Sequence, residues 1–231
     1  MADYTAPELL VDTAWLAEHL GDPGMQIVEM ALDATPFSEG HIPGAIVAPD
    51  GQIKSSANKK IVAPPDEAQA WLESVGIGDD TLVIAYDRSR NRDAARLWWV
   101  LKYYGFTNIK VLNGGWVKWS SEGRPVEQGV SRVATGTTFT PKPADHAVES
   151  TVDKLNAAIG QPGQAIWDIR SPDEFSGAND RGNARKGHVP GAVLLEWTDL
   201  VNEDHTFKPA DELRTMLEAI GITPDSTVHI Y

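Results

Sequence analysis

Two stretches of the chain place charged side chains closely enough to act together. Asp168 and Arg170 flank a single residue in D-I-R, and the run RGNARKGH at 181–188 supplies Arg181, Arg185, Lys186 and His188. Guanidinium groups in such clusters can grip oxyanions through paired N–H donors. A third stretch, DRSRNR at 87–92, surrounds Asp87 with Arg88, Arg90 and Arg92. These clusters stand against a formal net charge of −13. That balance argues against a general attraction to nucleic acid or to anionic lipid, but not against local capture of a small anion. The sequence holds no cysteine, and its six histidines lack metal-ligand spacing. Neither a P-loop nor a dinucleotide-binding glycine pattern occurs, so no cofactor is expected.

The elements that must position these residues come in two copies. GHIPGAI at 40–46 returns as GHVPGAV at 187–193, and WLESVGIGDDTLVIAY at 71–86 returns as MLEAIGITPDSTVHIY at 216–231. The second pair aligns without a gap, so that Gly76 meets Gly221 and Tyr86 meets Tyr231. Each member reads as a helix end, a glycine stop, a turn and a buried strand. Upstream, QIVEM at 26–30 corresponds to AIWDI at 165–169. In the first copy a helical run follows at 93–106, and then an apolar strand within IKVLNGG at 109–115. Strands alternating with helices predict an α/β fold in which a mainly parallel sheet is covered by helices on both faces. The expected division is a first domain over 1–125, a linker over 126–148, and a second domain over 149–231. Comparison of the copies predicts that the second domain is incomplete here and continues past Tyr231. The aromatic stripe of Trp98, Trp99, Tyr103 and Tyr104 has helical spacing and suits a core or interface better than a base-stacking platform.

The segments DIRSPDEFSG at 168–177, RKGHVPGA at 185–192, Glu196-Trp197 and NEDHTFK at 202–208 together resemble the second domain of a tandem-domain rhodanese. EGHIPGA, VIAYD and VLNGGWVKW are similar to the first domain of that family. The resemblance implies two rhodanese-like domains, with the catalytic cysteine of the second placed directly after the strand that ends at Tyr231. It also implies that Asp87 occupies the cysteine position of an inactive first domain. The implied activity is transfer of the sulfane sulfur of thiosulfate, through a cysteine persulfide, to cyanide or another thiophilic acceptor. A 3-mercaptopyruvate sulfurtransferase and a non-catalytic binding module are the alternatives. The expected partners are a small sulfur oxyanion, a thiophilic acceptor and the remainder of the same polypeptide.

For individual residues two readings stand side by side. Arg170 adds cationic charge near the site with Asp168 positioning it, or the two form a structural ion pair. Glu174 stands where mercaptopyruvate-using relatives generally carry arginine, which tilts the expectation toward thiosulfate; it also suits a solvated helix position. Arg185 is expected to help attract the anion, while His188 is expected to support the site; like His41, it can bond to neighbouring backbone. The loop at 87–92 reads either as a vestigial anion pocket for sulfate or a phosphate or as a surface loop paired with nearby acids, and the second is expected because a carboxylate at its base repels anions. MADYTAPELL lacks the regions of a signal peptide and no apolar run is long enough to span a bilayer, so a cytoplasmic protein is expected.

Overall fold

In a computed structural model, which describes residues 4–49, 53–59, 61–130, 133 and 135–231, the chain forms two compact units. The first contains Thr5–Asp145 and Glu203–Thr206; the second contains Tyr4, His146–Asn202 and Phe207–Tyr231. Residues 131, 132 and 134 of the expected linker lie outside the described residues.

The first unit is a five-stranded, all-parallel sheet. Its strands are β1 (Leu10–Val11), β2 (Met25–Ala31), β3 (Ile46–Pro49), β4 (Leu82–Tyr86) and β5 (Ile109–Leu112). They lie in the order β1-β5-β4-β2-β3. Five helices connect and cover them: α1 (Thr13–Glu18), α2 (Thr35–Glu39), α3 (Pro65–Ser74), α4 (Arg92–Tyr103) and α5 (Gly115–Ser121). Val83, Ile84, Ala85 and Tyr86 of β4 are all completely buried, as a central strand covered on both faces requires. Ala94, Leu97 and Leu101 recur on one side of α4 and are fully buried, and Asp93 begins the helix at its positive end. Tyr103 and Tyr104 of the aromatic stripe are buried; Trp98 and Trp99 are half-buried, with Lys102 and Arg96 over their rings.

Much of the segment after α5 packs onto the first unit. Asp79 N–H donates to the Thr138 carbonyl, Lys142 N–H to that of Tyr104, and Phe139 is buried. His41 and Glu127 exchange backbone hydrogen bonds, so this chain also covers the turn at 40–45.

The second unit contains α6 (Val152–Ala158), β6 (Gln164–Asp168), α7 (Pro172–Ser176), β7 (Val193–Leu194), α8 (Ala210–Ala219) and β8 (Thr227–Ile230). Its parallel order is β7-β6-β8. This is the β3-β2-β4 half of the first sheet made again. Among the described residues no helix is long and apolar enough to cross a membrane.

The repeated Leu-Glu-x-x-Gly-Ile pattern has a specific cause. At the end of α3, Gly76 N–H bonds to the Glu73 carbonyl and Ile77 N–H to that of Leu72. At the end of α8, Gly221 N–H bonds to Glu218 and Ile222 N–H to Leu217. Both are Schellman closures, in which the glycine is left-handed and the flanking leucine and isoleucine meet. Gly76 and Gly221 have φ of 77° and 81°. A Cβ on Gly221 would meet nothing within 4 Å, so its substitution isolates the backbone term. Gly221→Ala should therefore destabilise the second unit by about 1–2 kcal/mol, and Gly221→Asn, which tolerates this conformation better, by less. Urea midpoints of the two variants test this; equal midpoints for Gly221→Ala and the parent would exclude the strain.

Candidate functional site

Both units build the same arrangement at the C-terminal edge of the sheet, where ligand crevices of open α/β sheets lie. In the first unit Glu29, near the end of β2, pairs in register with Tyr86 at the end of β4. In the second, reciprocal bonds from Ile169 N–H to the Tyr231 carbonyl and from Tyr231 N–H to the Trp167 carbonyl bring Asp168 beside Tyr231. Each tyrosine reaches into the Gly-His-[Ile/Val]-Pro-Gly-Ala turn. Tyr86 Oη accepts from Ile42 N–H at 3.3 Å, and Tyr231 Oη accepts from Val189 N–H at 2.9 Å. Each hydroxyl also lies close enough to its acidic neighbour, Glu29 or Asp168, for the carboxylate to act on it. Burial first, and then the adjacent carboxylate, pushes both phenols above their ordinary value, so both keep their protons.

Asp168 is fully buried. Arg170 meets it with both edges of its fork, Nε at 2.9 Å from Oδ1 and Nη2 at 2.5 Å from Oδ2. Nη2 also donates to the Gly187 carbonyl at 3.0 Å, and the guanidinium lies 5.1 Å from the centroid of the Tyr231 ring. Desolvation is the largest single influence and pushes the Asp168 carboxyl up, but the hydrogen bonds and charge of Arg170, together with the nearby Tyr231 hydroxyl, outweigh it and lower the group from its ordinary value.

The other expected site residues divide. His188 Nδ1 lies 2.8 Å from the Phe175 carbonyl and its ring stacks on Phe175 at 3.7 Å. His41 does the same with Phe37, at 2.8 and 3.8 Å. Glu174 belongs to the start of α7: its carboxylate accepts from Ser171 N–H and Oγ, while Ser171 Oγ accepts from Glu174 N–H, a capping box. Arg181 sits 3.7 Å from Glu174 and Lys186 3.2 Å from Asp180, so two cations of the basic run face acids. Arg185 is exposed and has no ion pair among the described residues.

At 87–92 the structure gives Asp87 a definite task. Its buried carboxylate accepts four main-chain N–H bonds, from Ser89 and Asn91 at Oδ1 and from Asp93 and Ala94 at Oδ2, all 2.8–2.9 Å. Arg90 and Asn91 take left-handed φ of 60° and 67° to turn these amides inward. Burial pushes the Asp87 carboxyl up while the amides pull the other way. Gly115 of the N-G-G-W stretch presses against this loop: a Cβ there would lie 2.5 Å from the Asp87 carbonyl oxygen. The sequence reading did not identify the two tyrosines or the bond from Arg88 to Glu29. The matched positions Tyr86 and Tyr231 were the available signal. Among the described residues no group of histidines and carboxylates could hold a metal ion.

Two parallel sheets, each carrying one copy of this turn, define an α/β protein of doubled rhodanese architecture, and comparison with known proteins agrees. The model of the rhodanese-like domain matches residues 12–122 and 151–231, and the chain belongs to that family. It is 34% identical over 99% of its length to the sulfur carrier protein TtuD of Thermus thermophilus, covering 83% of that protein. It is 32% identical over 97% of its length to a Saccharopolyspora erythraea protein named "Putative thiosulfate sulfurtransferase", covering 81% of it. Among solved structures, the 3-mercaptopyruvate sulfotransferase SseA of Escherichia coli superimposes with a TM-score of 0.84 at 27% identity, over 96% of this chain and 87% of SseA. YnjE superimposes with a TM-score of 0.86 at 27% identity over 97% of this chain, which spans only 58% of YnjE.

Two predictions follow from the charges. Asp87→Ala orphans four main-chain amides, three of them buried, and should destabilise the first unit by about 2–4 kcal/mol; Asp87→Asn, which keeps one acceptor oxygen, should cost less. An Asp87→Ala urea midpoint equal to that of the parent would show that water replaces the carboxylate without loss. For Asp168, a carboxyl held below its unfolded value contributes stability that is complete above the ordinary carboxylate range and lost as pH falls through the folded-state value. Asp168→Asn should therefore be less stable than the parent at neutral pH, and the gap in urea midpoint should close on acidification. A gap independent of pH would exclude an ionised Asp168.

Proposed function

We propose that this chain is the two-domain framework of a sulfurtransferase whose nucleophile is a cysteine directly after Tyr231. The single observation that carries the proposal is the cradle around Asp87. In the repeat, position 87 corresponds to the residue after Tyr231, and the first unit displays what surrounds a side chain there: four converging amides at the start of a helix. A thiol in such surroundings is stabilised as the thiolate. The thiolate attacks the outer sulfur of thiosulfate, the S–S bond breaks, and sulfite leaves with the bonding electron pair. The resulting persulfide passes its terminal sulfur to cyanide or another thiophilic acceptor and regenerates the thiolate.

The names of two relatives support sulfur handling, and the second supports thiosulfate as the donor. Glu174 favours thiosulfate over mercaptopyruvate, since its carboxylate faces Ser171 and Arg181 and offers no cation to a substrate carboxylate. The likeness to SseA keeps mercaptopyruvate as the second donor to test.

The test is made on a polypeptide that extends past Tyr231. With thiosulfate and cyanide it should form thiocyanate by ping-pong kinetics, and faster than with mercaptopyruvate as donor. Incubation with thiosulfate alone should add the mass of one sulfur atom, removable by cyanide. A faster rate with mercaptopyruvate would reverse the donor assignment. No turnover with either donor, or a residue other than cysteine after Tyr231, would defeat the enzyme and leave a binding module.

A further inference from the structure

The two units hold a guanidinium at the same point but take it from different loops. In the first unit Arg88 donates from Nε to Glu29 Oε1 at 2.7 Å, and from Nη2 to Glu29 Oε2 at 3.4 Å and to the Gly40 carbonyl at 2.5 Å. In the second, Arg170 uses the same two nitrogens on Asp168 and on the Gly187 carbonyl. Glu29 and Asp168 are equivalent by register, and Gly40 and Gly187 both open the Gly-His-[Ile/Val]-Pro-Gly-Ala turn. Each guanidinium also covers an aromatic face, Arg88 that of Trp116 at 4.3 Å and Arg170 that of Tyr231 at 5.1 Å. The bonds match atom for atom. The positions in the chain do not: Arg88 follows β4, whereas Arg170 follows β6, and the first-unit counterpart of Arg170 is Ala31.

We infer that the guanidinium between the strand-end carboxylate and the turn carbonyl is a positioning element of this fold, and that its donor has been exchanged between the two loops. Arg170 is accordingly a positioning residue rather than an anion ligand. Three of its N–H hydrogens are spent on Asp168 and Gly187, and it acts through the turn that Tyr231 also holds. The exchange has a consequence that rests on the proposed function. In the first unit the clamp and the Asp87 staple both fasten the loop after β4, so that loop is committed to structure. In the second unit the clamp is complete without any residue beyond Tyr231, which leaves the chain after β8 available to surround a sulfur nucleophile.

The placement makes a relocation experiment possible. Ala31 lies two residues beyond Glu29 in the same extended strand, so both side chains project from one face; Arg170 has the same spacing from Asp168 but reaches it from the bend just after β6, where its N–H also bonds to Asp168 Oδ1. In the protein extended past Tyr231, Arg88→Ala should lower the hydrogen-exchange protection of the Ile42 and Ala45 amides roughly ten-fold or more. The double variant Arg88→Ala/Ala31→Arg should restore most of that protection. Failure of Ala31→Arg to restore it overturns the exchangeable clamp. Should Arg88→Ala not fold, Arg88→Lys supplies charge without the fork; protection equal to that of the parent would overturn the proposal equally.

For the second unit, Arg170→Lys should reduce protection of the Val189 and Ala192 amides and lower kcat, with KM for thiosulfate changed by less than about two-fold. A large rise in KM with protection intact would make Arg170 an anion ligand and overturn the positioning role. The exchange readout needs no turnover. An inactive parent with a rescued clamp would therefore reject the sulfurtransferase reading alone.

Discussion

A carboxylate that water cannot reach stands near the end of one strand in each sheet, and the site is organised around neutralising it. Glu29 and Asp168 are 1% and 0% exposed. An isolated buried carboxylate is very costly, so a cation and further donors must be held against it. The arginine fork satisfies the carboxylate and the turn carbonyl together, and the tyrosine hydroxyl accepts from an N–H of the same turn. Such a buried pair is weak evidence for net stability, because its desolvation cost offsets much of its attraction. Its physical effect is specification. The carboxylate admits one arrangement of strand end, turn and tyrosine.

This explains what was legible in the sequence and what was not. The acids, the tyrosines and the Gly-His-[Ile/Val]-Pro-Gly-Ala turns repeat at matched positions, so two copies of a parallel α/β unit could be read directly. The closures after α3 and α8 were visible as glycine stops because a left-handed residue is needed there. The arginine was not visible, because alignment matches positions whereas the carboxylate requires only a guanidinium at a point in space. Arg88 therefore read as one of three loop cations, and the choice between structure and substrate for Arg170 stayed open. The geometry around it supports structure.

The edges of the first unit were less legible than its centre. Leu10–Val11 is a two-residue strand, too short to show a period, and only its pairing with Val111 and Leu112 makes it β1. Residues around Phe139 read as linker from their Gly, Thr and Pro content, yet Phe139 is buried against Phe106 and backbone bonds tie its neighbours down. One apolar residue in a polar stretch carries no periodic signal. Its burial is decided by the surface that it meets. The capping role of Glu174, by contrast, was written locally in S-P-D-E.

Asp87 shows how one cradle can serve opposite purposes. A carboxylate has two oxygens, each able to accept two hydrogen bonds, and the four amides fill that capacity. No donor among those four is left for an outside anion, and the negative charge repels one. Repulsion is thus not the whole of the matter: the cradle is already occupied, by its own side chain. A thiolate in the same surroundings concentrates its charge on one large, weakly accepting atom. It would gain from the field of the amides without consuming their hydrogen-bonding capacity, leaving donors for the oxygens of a bound substrate. On the proposed function, the backbone arrangement that closes a loop around an aspartate would open a reaction site around a cysteine. The difference lies in how many acceptors the enclosed side chain brings.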